Sequence, residues 1–311
     1  MKAMRFHEFG GPDVLRYEEI ELPAPGAREA RIRVAATAFN GVDAGIRGGY
    51  LQGPFPVVLP HTPGLDVAGT VDTVGEGVNN VKVGDQVVGF LPITADGASA
   101  EYVVTPAEIL APAPTSIPLS DAAALPMVGL TAWQALFDDA RLAAGQRVLI
   151  NGAGGGVGGY AVQLAKWAGA QVTDTASPRS SERVKSAGAD EIIDYTATDV
   201  TVAEPVDVLL NLARISAEQL LELAALLRPG GVVVNTVPTV PITADENRGV
   251  RAVGVFVRSD AAQLSQLVEM VDRGQLHVDV AERAPLAELP QIHARADADE
   301  LSGKIIVLVG Q

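Results

Sequence analysis

Cysteine is absent from this 311-residue chain. No disulfide, thiolate nucleophile or cysteine-bearing zinc site is therefore available to it. Histidine is scarce as well. His7, His61, His277 and His293 stand singly, without the H-x₃₋₅-H or H-E-x-x-H spacing that puts two ligands on one helical face, so no metal site is expected. Positive charge is the third shortage: 23 Lys+Arg face 38 Asp+Glu, a formal net charge of -15. Such a surface repels phosphate backbones and anionic bilayers, which excludes nucleic acid and membrane surfaces as expected partners. The longest run free of charged residues and of histidine, residues 148–165, contains Gly152, Gly154, Gly155, Gly156, Gly158 and Gly159, too many for a bilayer span. The opening MKAMRFHEFGG lacks a basic segment followed by an apolar one, and a cytoplasmic location is expected.

What is present is the composition of a folded protein, 48% hydrophobic and 20% charged, with length for two domains. Up to about residue 115, short β-type runs such as ARIRVAATAF, DVAGTVDTVG and DQVVGFL alternate with Gly-rich turns. This texture predicts a mostly antiparallel barrel or sandwich. From about Asp121 apolar runs alternate with amphipathic stretches, the pattern of βαβ units. Six strands are predicted there: Arg147 to Asn151, Gln171 to Thr175, Glu191 to Tyr195, Val206 to Asn211, Val232 to Val237 and Ala252 to Val257. Together they would make an α/β, doubly wound parallel sheet. A helix is predicted over Ser216 to Arg228, stopped by Pro229-Gly230-Gly231, and another from an N-cap at Ser259 to near Gly274. The run Lys304 to Val309 reads as a strand returning to the first domain. The domain boundaries expected are 1–120, completed by 280–311, and 121–279.

The most informative stretch is Gly152-Ala153-Gly154-Gly155-Gly156-Val157-Gly158-Gly159, after the first strand of the parallel half and before a helical YAVQLAKWAGA. A dinucleotide turn needs glycine where the chain bends, where backbone approaches the pyrophosphate, and where helix packs on strand. The helix N-terminus adds free N–H groups and partial positive charge. At the end of the next strand an acid would bind the ribose hydroxyls of NAD, whereas Ser and Arg accommodate the 2′-phosphate of NADP. The sequence there is Thr175-Ala176-Ser177-Pro178-Arg179-Ser180-Ser181-Glu182-Arg183. Ser177, Arg179 and Arg183 favour NADP(H). Asp174 favours NAD(H) if the strand ends two residues earlier, and the choice stays open at this level.

Six stretches in order, Asn40-Gly41-Val42-Asp43 with Ile46 to Tyr50, Thr62 to Gly69, Val83 to Val87, Gly129 to Ala132, the glycine turn, and Gly303 to Leu308, resemble the medium-chain dehydrogenase/reductase superfamily over essentially the whole chain. The resemblance is to its zinc-free quinone oxidoreductase branch, and it implies a Rossmann domain beside a GroES-like, mostly-β barrel domain. It sets Asn40 and Leu65 at the positions where metal-dependent relatives hold catalytic zinc, and neither Asn nor Leu serves. It further implies Asn40 and Thr131 near the nicotinamide, with Gly154, Gly155, Gly156, Val157 and Gly158 along the pyrophosphate. Val237, Phe256 and Val257 then stand toward the carboxamide. Asn211 occupies a position where the family often has Asp, and Tyr50 one where it often has a Tyr near the substrate. Asn40 and Tyr50 are thus the catalytic candidates. The function expected is NADPH-dependent hydride transfer to quinones or α,β-unsaturated carbonyls. The alternatives are a weakly catalytic NADP(H)-binding sensor or partner protein, and a narrow pathway enoyl reductase. A homodimer is expected, its apolar edge strand 252–257 covered by a second copy.

Overall fold

The structure is a computed structural model and describes residues 1–237 and 240–310. The chain divides into two compact units, Met1–Met127 with Ser259–Gln311, and Val128–Arg258. In the first unit, β1 (Lys2–Phe6) pairs antiparallel with β2 (Leu15–Glu19). After them come β3 (Glu29–Ala38), helix α1 (Gly41–Arg47), β4 (Asp66–Val74), β5 (Gln86–Phe90), β6 (Tyr102–Pro106) and β7 (Ala111–Pro112). Strand β3 is the spine of this unit. It pairs with β4 along most of its length, with β6 over Glu29 to Arg33, and with a C-terminal strand over Ala36 to Ala38. Its alternating burial, with Ala30, Ile32, Val34 and Ala36 inside, is the period-2 signature of a half-covered antiparallel sheet.

Helix α2 (Pro126–Trp133) carries the chain into the second unit. There follow β8 (Arg147–Asn151), α3 (Gly156–Trp167), β9 (Gln171–Ala176), α4 (Pro178–Ser186), β10 (Glu191–Asp194), β11 (Val206–Asn211), α5 (Ala217–Ala224), β12 (Leu227–Asn235) and β13 (Arg251–Gly254). All six strands are parallel, in the order β10-β9-β8-β11-β12-β13. The order reverses between β8 and β11, which is where doubly wound sheets bind ligands at their carboxyl ends. Val148, Leu149 and Ile150 are all fully buried, so β8 is covered on both faces and reads as an unbroken apolar run. Leu149, Leu209 and Val233 of the sheet pack with Leu220 and Leu223 of α5 and with Leu227 and Val250.

That cluster explains one departure from the sequence reading. Helix α5 stops at Ala224, not Arg228, and Leu227 opens β12, paired with Val206. Leu227 is buried beside Leu220 and Leu223, so helical spacing and common burial coincide across a helix end. Strand β12 ends at Asn235 and β13 spans only Arg251–Gly254. The chain then returns to the first unit as α6 (Ala261–Asp272), β14 (Glu282–Pro285), α7 (Leu289–Asp297) and β15 (Ile305–Leu308). Asp260, not Ser259, caps α6, its Oδ1 accepting from the amides of Ala262 and Gln263. Residues 259–279, assigned to the second domain in the sequence reading, lie with the first. Asp272 at the end of α6 accepts from the amides of Thr115 and Ser116 just beyond β7. Strand β15 enters the first unit's sheet between β14 and β3.

Candidate functional site

The glycine turn joins β8 to α3. Gly152 adopts φ +90°, a left-handed conformation that costs glycine nothing and other residues strain. A Cβ on Gly154 would run into the side chain of Ser180 in α4, and one on Gly158 into the backbone of Ala153. Gly155 is the N-cap of α3 and is exposed, with Gly156 and Val157 half-buried behind it. The bend, the close approach and the helix–strand packing that a pyrophosphate needs are thus each held by a glycine, in front of a twelve-residue helix whose first amides are free. The cradle fits a dinucleotide.

Beside it, α4 starts with Ser177 as N-cap and Pro178 in its first turn. Arg179 is exposed there, whereas Arg183 donates from Nη2 to the carbonyl of Gly154 and so braces the turn. Strand β9 runs on through Ala176, which places Asp174 two residues inside it. Asp174 is 0% exposed, its carboxylate oxygens have no hydrogen-bond partner, and burial, reinforced by Asp190, pushes its pKa up to about 8. It is sealed within the sheet and does not present an acid at the strand end.

Asn211, a candidate for cofactor contact, is buried with its amide fully engaged. Its Oδ1 accepts from Asn151 Nδ2 at 2.8 Å, and its Nδ2 donates to Asn235 Oδ1 at 2.8 Å and to the Ala213 carbonyl at 3.1 Å. Thr131 is buried on α2. Val237 is buried just beyond β12, its N–H donating to Asn235 Oδ1. Phe256 and Val257 lie past the end of β13, and Phe256 is 60% exposed. The structure therefore gathers the glycine turn, Ser177, Arg183 and the strand-end asparagines into one neighbourhood of the second unit.

Asn40 and Tyr50 belong to the first unit. Asn40 caps α1 and is nearly buried. Its Nδ2 donates to Asp66 Oδ2 at 2.9 Å, and its Oδ1 accepts from Lys304 Nζ at 2.5 Å. Lys304 also reaches Asp66 Oδ2 at 3.0 Å. Asp66 Oδ1 accepts from the Met127 amide, while Asp43 accepts from the amides of Asn40 and Gly64. Burial raises the Asp43 pKa to about 7, against the pull of those amides and of Lys304. Tyr50, by contrast, is 84% exposed. Asp43, Asp66 and Lys304 are not among the site candidates that the sequence marks. The signal was an acid inside Leu65-Asp66-Val67-Ala68 and a lysine leading Ile305-Ile306-Val307, charges in runs that are otherwise core. Among the described residues no group of three or more His, Asp or Glu is placed to hold a metal, and no helix is long and apolar enough to cross a membrane.

Residues 26–115 match the model of the alcohol dehydrogenase GroES-like domain, and residues 187–307 that of a zinc-binding dehydrogenase. A chloroplast envelope quinone oxidoreductase homolog of Arabidopsis thaliana is 33% identical, covering 99% of this chain and 98% of that protein. The structure of the quinone oxidoreductase from Coxiella burnetii superimposes with a TM-score of 0.90 at 30% identity, covering 100% of this chain and 99% of that one. An NAD-dependent alcohol dehydrogenase structure is similar at TM-score 0.89 and 30% identity, with both chains covered completely. With its parallel Rossmann sheet, GroES-like unit and glycine turn, the chain belongs to the medium-chain dehydrogenase/reductase superfamily, in the quinone oxidoreductase branch, and is an oxidoreductase of a family that works with a nicotinamide cofactor.

Proposed function

We propose that the protein reduces quinones and α,β-unsaturated carbonyls with NADPH and without zinc. The observation that carries the cofactor choice is the sealed position of Asp174. With that acid inside the sheet, the residues at the end of β9 are Ala176, Ser177 and Arg179, a neutral and basic set that suits a 2′-phosphate. The bound nicotinamide supplies the hydride. The first amides of α3 would hold the pyrophosphate, and Arg183 braces the turn through the Gly154 carbonyl. Thr131, Val237, Phe256 and Val257 bound the nicotinamide end, as the family resemblance implies.

Leu65 has no lone pair to give a metal, and the Asn40 amide is tied to Lys304 and Asp66. A site without a Lewis acid suits acceptors that spread the incoming charge over a conjugated oxygen. Tyr50 Oη or water then delivers the proton to that oxygen. Comparing Arg179→Ala with the parent protein tests the cofactor assignment. The variant is expected to lose about tenfold or more in kcat/KM for NADPH, roughly 1.4 kcal/mol, with NADH little changed. Equal losses for both cofactors would remove Arg179 from the 2′-phosphate site.

A further inference from the structure

Four buried polar side chains end neighbouring strands of the second unit: Thr175 near the end of β9, Asn151 closing β8, Asn211 closing β11 and Asn235 closing β12. They stand in register, Thr175 beside Asn151, Asn151 beside Asn211, Asn211 beside Asn235. The hydrogen bonds from one side chain to the next all run one way. The Gly152 amide donates to Thr175 Oγ1 at 2.9 Å, and Thr175 Oγ1 donates to Asn151 Oδ1 at 2.7 Å. Asn151 Nδ2 donates to Asn211 Oδ1 at 2.8 Å, and Asn211 Nδ2 to Asn235 Oδ1 at 2.8 Å. Asn235 Nδ2 finally donates to the carbonyls of Val237 and Val240, at 3.0 and 2.9 Å. The backbone fixes this direction. The carbonyls of Ala213, Val237 and Val240 accept only from an amide nitrogen, and the Val237 N–H donates only to an amide oxygen.

We infer that this one-way chain couples the two ends of the cofactor site: Thr175, Asn151, Asn211 and Asn235 are positioning residues that lock the glycine turn to the segment following β12. Each link polarises the next, so the chain is stronger complete than in parts. It spans three strand spacings, about 14 Å, farther than independent sites normally influence one another. It also accounts for Asn at position 211: an ionised Asp there accepts from Asn151 but has no proton to give Asn235. The proposal rests on the dinucleotide reading above.

The test titrates 2′-phospho-ADP-ribose, a fragment without the nicotinamide, and NADPH against the full-length protein by calorimetry, with thermal unfolding of the unliganded variants recorded alongside. Thr175→Val is expected to weaken the fragment about tenfold and Thr175→Ser to restore it. Asn235→Ala, at the far end and beyond the fragment's reach, is expected to weaken it at least threefold, and the double variant to lose less than the product of the two losses. Asn211→Asp, nearly isosteric, cuts the chain in the middle and serves if Asn235→Ala does not fold; it is expected to give the same distant loss. A folded Asn235→Ala or Asn211→Asp that binds the fragment as the parent does, or strictly multiplicative losses, would overturn the coupling. If the parent binds neither fragment nor NADPH, the dinucleotide reading itself fails and the inference goes with it.

Discussion

Asn40 has both amide protons engaged, one by Asp66 Oδ2 and one by the Ala38 carbonyl, and its oxygen taken by Lys304. Its contribution is therefore to hold a buried Lys–Asp pair that would be costly with a partner missing. Asn40→Ala is expected to lower unfolding stability by about 1–3 kcal/mol, read by urea titration, and to reduce turnover without abolishing it. Tyr50→Phe, at an exposed position, is expected to leave stability within about 0.5 kcal/mol. Its turnover should fall by less than the roughly 10²–10⁴-fold of a lost general acid, because water replaces the phenol. Complete loss of turnover in Tyr50→Phe with intact cofactor binding would contradict that division of labour. At this scale the sequence showed the glycines and Asn40 plainly, since their motifs are local. Lys304 and Asp66 were in plain view as letters, but they are 238 positions apart, and no local pattern announces that they meet.

Strand β9 and its neighbours show what alternation could and could not reveal. The apolar runs located all six parallel strands, and the rule that such strands are covered on both faces explains their composition. The asparagines ending RVLIN and VDVLLN, with a third inside VVVNTV, stood at equivalent strand ends, yet their ladder became visible only with the strand register. Asp174 is the element's odd residue. In the folded chain its carboxyl keeps its proton up to about pH 8, whereas in the unfolded chain it loses it near 3.8. The native state thus binds more protons between those values, and stability falls as pH rises through that interval. Asp174→Val removes an unpartnered buried carboxyl and is expected to raise unfolding stability by about 1–3 kcal/mol at neutral pH. It should also flatten the decline between pH 6.5 and 8, which approaches about 1.4 kcal/mol per pH unit for one such group. Denaturant titrations across that range check both effects; a variant with the parent's slope would show that Asp174 does not cause it.

Over the whole molecule the same linkage works in both directions. Asp43, raised from 3.8 to about 7, adds to the decline between those two values. His293, packed edge-on against Phe39, is lowered by burial and by Arg47 to about 3, so its contribution is present above about 6.5 and fades as pH falls toward 3. Domain limits were the least legible feature at this scale. Residues 259–279 follow the parallel sheet in sequence but pack beside β7, a long-range choice made by the Asp272 bonds to Thr115 and Ser116. The reaction proposed for the protein is a zinc-free reduction that draws on NADPH. Its most direct test is oxidation of NADPH and of NADH by chelator-treated protein, with a simple benzoquinone and a small enone as acceptors. Turnover that prefers NADPH and survives the chelator is the expected result; turnover that the chelator abolishes and zinc restores, or a preference for NADH, would contradict it.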